Sequence, residues 1–385
     1  MTHCQNQALA DLKASPLFNL SLTSKELFHS NFLWWLGQTY PEMFMKMCEQ
    51  LGCNTSAWPK GWTVEREYKA SKSISLDLCV KGGDKLYLIL ENKVKSVPNL
   101  PQLIKYAEIE KNNPNCKFVL LSVATKFLCN GQVGKPWLIR DYENLADAIT
   151  SSISSCEQTC LDYHKSIIED YVKFAKSLHN LFGGVTVDEK DNYIKNAQSE
   201  YAEFRMDDVY EKLRSSQIAG ILANKMEKRL QTEFPDSKIK VASGMRIDEI
   251  KKEAEIPLTN VYVDSNYTHN HGLIEAKVKV NKEYVLTVQV QEKHYCHAIE
   301  RFSVHGNNDT TWKEMQKGSL QEWFKRTAKG KTLNDSKKEY CVFGSKFLYR
   351  YRNIEENEEV GDILNEIVED IIKIIKYAVN FPTFN

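Results

Sequence analysis

Between positions 73 and 93 the chain carries an alternation that a paired strand accommodates and a helix does not. Ile74, Leu76, Leu78 and Val80 are interleaved with Ser73, Ser75, Asp77 and Cys79, the period-two signature of a strand with one buried face. Asp77 therefore points away from the apolar row. Lys81-Gly82-Gly83-Asp84 tolerates positive φ, and Leu86-Tyr87-Leu88-Ile89-Leu90 behind it reads as a largely buried strand. A hairpin is the economical connection. At its far end Glu91 and Lys93 share a face while Asn92 points opposite, because side chains two apart in a strand project the same way. Asp77, Glu91 and Lys93 are thus predicted to converge.

Two carboxylates and one lysine at one place suit a definite chemistry. A hard ion such as Mg²⁺ or Mn²⁺ takes oxygen ligands, often only one or two carboxylates, and leaves its other positions to water and phosphate. Asp77 and Glu91 fit that role, and the main-chain carbonyl of Asn92 is a further candidate oxygen ligand. Lys93 is placed to orient or deprotonate an attacking water and to offset charge in the transition state of phosphodiester cleavage. The competing reading is bland: Glu-X-Lys is common in a chain with 26 % charged residues, and exposed strands often alternate acid with base. A second set exists, Asp264 followed by Glu275-Ala276-Lys277, on a more polar strand with no matching helix behind it.

The surroundings separate the two sets. Residues 24 to 37 read Ser-Lys-Glu-Leu-Phe-His-Ser-Asn-Phe-Leu-Trp-Trp-Leu-Gly, and Val64-Glu65-Arg66-Glu67 precedes the Asp77 strand. After Glu91-Asn92-Lys93 come Gln102-Leu103 and Tyr106, the apolar run Phe118-Val119-Leu120-Leu121, then Trp137-Leu138-Ile139-Arg140-Asp141-Tyr142 with Leu145. That succession resembles the PD-(D/E)XK nuclease superfamily, in particular its bacterial branch that opens with a Glu-Leu-Phe-His-Ser-X-Phe-Leu helix. The resemblance covers about residues 24 to 182. It implies an α/β fold with a restriction-endonuclease-like αβββαβ core, Mg²⁺ or Mn²⁺ as cofactor, and nucleic acid, foremost DNA, as substrate. By position it implies Asp77 and Glu91 as metal ligands and Lys93 as the catalytic lysine. Glu26 on the first helix and Glu67 on the first strand match acids that assist the metal or the water, and Gln102 matches a glutamine that braces the site. One departure is Ser75, where relatives often carry a basic residue.

Other residues have ordinary explanations. Phe28, Phe32, Leu33, Trp35 and Leu36 lie at helical spacing and read as core. His29 shares a helix face with Glu26 and is a candidate neighbour of the site, although a lone histidine is more often hydrogen-bonded structure. Gln102, Lys105, Tyr106 and Glu110 form a polar helical stripe. Cys156, Cys160 and His164 recur every four residues but lack a fourth ligand for zinc. His294, Cys296 and His297, with His269 and His271 nearby, are read as a polar sheet edge.

At 385 residues the chain is expected to hold two domains, 1–185 with the nuclease-like core and 200–385 as a second α+β domain, joined by the polar stretch Asp188–Ser199. A helix from Tyr201 to Phe234, strands near 238–246, 258–264, 272–280 and 283–292, a turn at Asn281-Lys282, a strand within Phe343–Tyr351 and a closing helix from Glu358 to Val379 are expected there. Trp312, Trp323, Phe324, Lys325 and Arg326 are read as core or domain interface in preference to a nucleic-acid clamp. Formal charge is zero, with 51 basic and 51 acidic residues, which argues against a strong indiscriminate electrostatic affinity for nucleic acid. Lys60, Arg66, Lys69, Lys72, Lys81, Lys93, Lys95 and Lys105 nevertheless cluster in sequence around the hairpin. No apolar run reaches membrane length and no signal-type segment opens the chain, so a cytoplasmic protein with reduced thiols is expected. The function expected is a metal-dependent nuclease acting in defence or repair. The alternative is a nuclease-fold protein that has lost turnover and serves as a nucleic-acid-binding or regulatory module.

Overall fold

The hairpin forms in the company of three more strands. In the computed structural model, β1 (Thr63–Ser71), β2 (Ile74–Gly82) and β3 (Lys85–Lys93) make an antiparallel meander. β4 (Lys117–Ser122) and β5 (Trp137–Arg140) run parallel to β3, giving the order β1-β2-β3-β4-β5. The structure describes residues 2–21, 25–72, 74–94, 100–123, 136–154, 160–194, 201–202, 205–243, 260–268, 271–279, 284–301, 322–333, 340–343 and 347–379. Glycine is required twice at the β2–β3 turn: Gly83 has φ +62°, and a Cβ on Gly82 would sit 2.1 Å from Pro59 Cγ.

Over Leu78–Val80 the strand β2 is buried on both faces, not one. Cys79 is as inaccessible as Leu78 and Val80. The reason is α5 (Leu100–Ala107), whose Leu103 and Tyr106 close over Cys79, Ile89, Phe118, Leu120 and Trp137. A cysteine scored as the polar member of an alternation packs here as a small apolar residue. Against β1, β2 and β3 also packs α3 (Lys25–Thr39), followed by α4 (Pro41–Gln50). Helices α6 (Tyr142–Ser154) and α7 (Asp162–Phe182) pack together, and α1 (His3–Ala14) and α2 (Pro16–Ser21) lie on α7. The run α3-β1-β2-β3-α5-β4 is the αβββαβ succession of a restriction-endonuclease-like α/β core.

The chain forms two compact units, Met1–Val185 with Ser199–Leu213, and Thr186–Gln198 with Arg214–Asn385. The second holds a seven-stranded sheet in the order β11-β12-β10-β9-β8-β7-β6. These strands are β6 (Lys240–Ser243), β7 (Asn260–Thr268), β8 (His271–Lys279), β9 (Tyr284–Gln291), β10 (His294–Arg301), β11 (Cys341–Phe343) and β12 (Phe347–Asn353). Its core joins Ile274, Ala276, Val278, Leu286 and Val288 to the apolar faces of α8 (Asp207–Glu233) and α9 (Val360–Val379).

Four expectations change. The stretch 188–194 is not a free linker, because Tyr193 is buried, its N–H donates to the Glu358 carbonyl, and Asn192 bridges Glu359. The helix expected to begin at Tyr201 begins at Asp207, since Arg205 takes φ +53° and turns the chain. The residues His294, Cys296 and His297 are not at a sheet edge: β10 lies between β9 and β12, with Cys296 and His297 buried. Cys160 precedes α7 rather than sharing a helix with His164, whose Nδ1 lies 2.8 Å from the Tyr40 hydroxyl. Trp323 and Phe324 are core residues. Cys156, His269, Trp312, Lys95 and the Asn281-Lys282 turn lie outside the described residues. Among the described residues no helix is long and apolar enough to cross a membrane.

Candidate metal centre

Strand pairing brings the predicted residues to one end of the smaller sheet. Asp77 and Glu91 come from neighbouring strands, and Asp77 Oδ2 accepts the Asn92 backbone N–H at 2.8 Å. Lys93 Nζ lies 2.8 Å from Glu91 Oε1. That oxygen also accepts from Gln102 Nε2 at 3.1 Å, and Gln102 reaches the Tyr106 hydroxyl at 2.9 Å. Tyr106 in turn donates to the Ser75 carbonyl at 2.8 Å, so the position where relatives carry a base is used here through its main chain. The polar stripe on the helix is accordingly divided. Gln102 and Tyr106 turn inward, Lys105 is exposed, and Glu110 lies beyond the end of α5.

Burial and crowding set the charge states. Glu91 is 1 % exposed, and its carboxyl is pushed up to about 7 by burial, with the Asp77 charge adding and Lys93 opposing. Asp77 is raised by burial, against the Asn92 N–H and Lys93, with Glu26 and Glu67 contributing repulsion. For Lys93 burial works downward, but Glu91 and Asp77 outweigh it and hold the ammonium above the ordinary lysine range. With no cation between the acids, Lys93 is thus held as an ammonium. Glu91 Oε2 is buried without a hydrogen-bond partner. A deeply buried carboxylate with one oxygen unclaimed, next to a second carboxylate, fits a hard divalent cation.

The weaker candidates are placed as follows. Glu26, half-buried near the start of α3, is close enough for its charge to act on Asp77, Glu91 and Lys93. Glu67 is exposed, and the β1–β2 register sets it opposite Asp77 with φ +49°, a left-handed conformation uncommon for glutamate. His29 is not beside the carboxylates. It is fully buried among Phe28, Tyr142, Tyr171 and Phe174, with Nδ1 2.8 Å from the Tyr171 hydroxyl, and burial lowers it to about 3.

Convergence alone does not single this site out. Asp264 pairs with Glu275 across β7 and β8, and Lys277 Nζ lies 2.9 Å from Glu275 Oε1. The second set differs in that Lys277 is shared with Glu300 at 3.4 Å, whose oxygen also accepts the Thr287 hydroxyl at 3.0 Å. Burial raises Asp264 to about 6 and raises Glu275. One further group escaped sequence reasoning: Asp141 and Glu143 flank His179 at 3.6 and 3.5 Å. No spacing signals it, because α7 contributes the histidine while the acids come from the residue before α6 and from its first turn.

Residues 17–173 match the family model of the PD-(D/E)XK nuclease superfamily. This segment, less than half of the chain, is similar to that superfamily. No curated protein and no solved structure matches the chain. The superfamily match encloses Asp77, Glu91 and Lys93 and ends before β7, so the Asp264 set lies outside it. Proteins of the PD-(D/E)XK superfamily are generally phosphodiesterase nucleases that use divalent metals, and a nuclease fold implies a nucleic-acid substrate.

Proposed function

We propose that the first unit is a Mg²⁺- or Mn²⁺-dependent nuclease that hydrolyses phosphodiester bonds of DNA, acting in bacterial defence or repair. The observation that carries this reading is Glu91, wholly buried, with one oxygen held by Lys93 and Gln102 and the other without a partner. Asp77, Glu91 and the main-chain carbonyl of Asn92 would hold the cation, which when bound polarises the scissile phosphate and lowers the pKa of water. Lys93 remains protonated beside the reacting phosphate and compensates charge that develops there. Gln102 fixes the Glu91 carboxylate in place and is itself fixed by Tyr106. Glu67 and Glu26 are carboxylates placed around Asp77 to orient the attacking water and take its proton.

The test offers purified protein supercoiled plasmid, single-stranded DNA and RNA with each metal, and compares wild type with Lys93→Ala. Cleavage of DNA that falls by ~10²- to 10³-fold in the variant is expected. Equal cutting by both proteins refutes the assignment. Binding of DNA by wild type without cutting under any metal replaces it with the non-catalytic module.

A further inference from the structure

Asn92 stands between Glu91 and Lys93 yet sends its side chain the other way. Strand alternation turns it to the face of β3 opposite Glu91 and Lys93, where α3 packs. There Asn92 Nδ2 donates to Ser30 Oγ at 2.7 Å, and Ser30 Oγ donates to the Glu26 carbonyl one turn earlier at 3.4 Å. Both side chains are sealed, Asn92 0 % and Ser30 2 % exposed. The backbone N–H of the same asparagine holds Asp77 Oδ2. One residue therefore ties β2 by its main chain and α3 by its side chain.

Stability alone does not explain an amide here. Asn92 Oδ1 is buried without a partner, and a leucine of similar volume would fill the same place without leaving a polar atom unsatisfied. The helix is also held from its other side, since His29, next to Ser30, is fastened to Tyr171 of α7 inside an aromatic cluster. With α3 gripped at two successive residues, its rotation about its own axis is fixed, and so is the direction in which Glu26 faces Asp77 and Glu91.

We propose that the Asn92–Ser30 hydrogen bond is a positioning device for the metal centre, setting Glu26 and Asp77 relative to Glu91. This rests on the reading of Asp77 and Glu91 as metal ligands. The test is titration of metal-free protein with Mn²⁺ by calorimetry, for wild type, Ser30→Ala, Asn92→Ala and the double variant, each checked as folded at the working temperature. Each single change is expected to weaken Mn²⁺ binding ~10- to 100-fold, as loss of a partner behind a ligand does. The double variant is expected to bind no worse than the weaker single one, because both remove the same bond. Ser30→Ala deletes a single oxygen and carries the test if Asn92→Ala does not fold. Wild-type affinity in the variants, with only their melting temperature reduced, overturns the positioning role and leaves the metal centre intact. Absence of Mn²⁺ binding in wild type overturns both.

Discussion

Replacing Glu91 by glutamine separates the energetic cost of the buried carboxylate from its use. In the metal-free protein burial holds Glu91 near 7, against 4.5 for an ordinary glutamate. Between those two values the folded chain keeps a proton that the unfolded chain has released, so wild-type stability falls as pH rises through that window. The displacement corresponds to about 3 kcal/mol at 1.36 kcal/mol per pKa unit. Glu91→Gln removes the titration. The attraction to Lys93 arises only as Glu91 ionises and is already contained in the value near 7, so it adds no separate pH dependence. The assay is urea denaturation at intervals from pH 4.5 to 8 in chelator, for both proteins. The stability of the glutamine variant relative to wild type should climb by about 3 kcal/mol between pH 4.5 and 8, most of it before pH 7. Parallel curves would refute the claim that Glu91 is held protonated by its surroundings. Adding Mn²⁺ should restore wild-type stability at pH 8 and leave the variant unchanged, because a ligand that binds only the folded state stabilises it.

Two further outcomes follow from the second unit. Asp370 is 1 % exposed and accepts from the Tyr295 hydroxyl at 2.7 Å and the Ala328 N–H, with His297 Nε2 at 2.8 Å; Asp370→Ala should cost about 3–5 kcal/mol in urea denaturation, and a loss below 1 kcal/mol would show that this network carries little. Glu275→Ala removes the nearer ion-pair partner of Lys277 and leaves Glu300 at 3.4 Å, and should lower thermal stability while metal-dependent cleavage stays at the wild-type rate; loss of cleavage in this variant would move the catalytic centre to the second sheet.

Much of the smaller sheet was legible because its signals are local. The turn at Gly82-Gly83 and the two-residue spacing of Glu91 and Lys93 dictate a hairpin and a shared face, and both depend only on neighbours in sequence. What escaped depends on packing from a distance. Cys79 looked solvent-facing until α5 covered it, and His29 looked like a partner of Glu26 until α7 supplied Tyr171. β10 was read as an edge because His294, Cys296 and His297 are polar on paper, whereas a carboxylate from α9 and a backbone carbonyl satisfy His297 inside the sheet. The break before α8 hinges on the left-handed backbone of Arg205, for which arginine gives no warning. The two Asp/Glu-X-Lys sets are a sharper lesson. Both converge, so spacing finds acid–lysine clusters without saying what they are for, and the helices around β3, the extra acid Glu300 beside Lys277 and the extent of the superfamily match distinguish them.

The opposed projections of Glu91 and Asn92 bear on whether this hairpin is portable. A graft of β2 and β3 into another protein would import both acids and the lysine, but the middle residue of the triplet would then face a host helix lacking the serine it grips. On the proposed reading of Asp77 and Glu91 as metal ligands, a transplant that is to keep the geometry of the site must therefore bring α3 along.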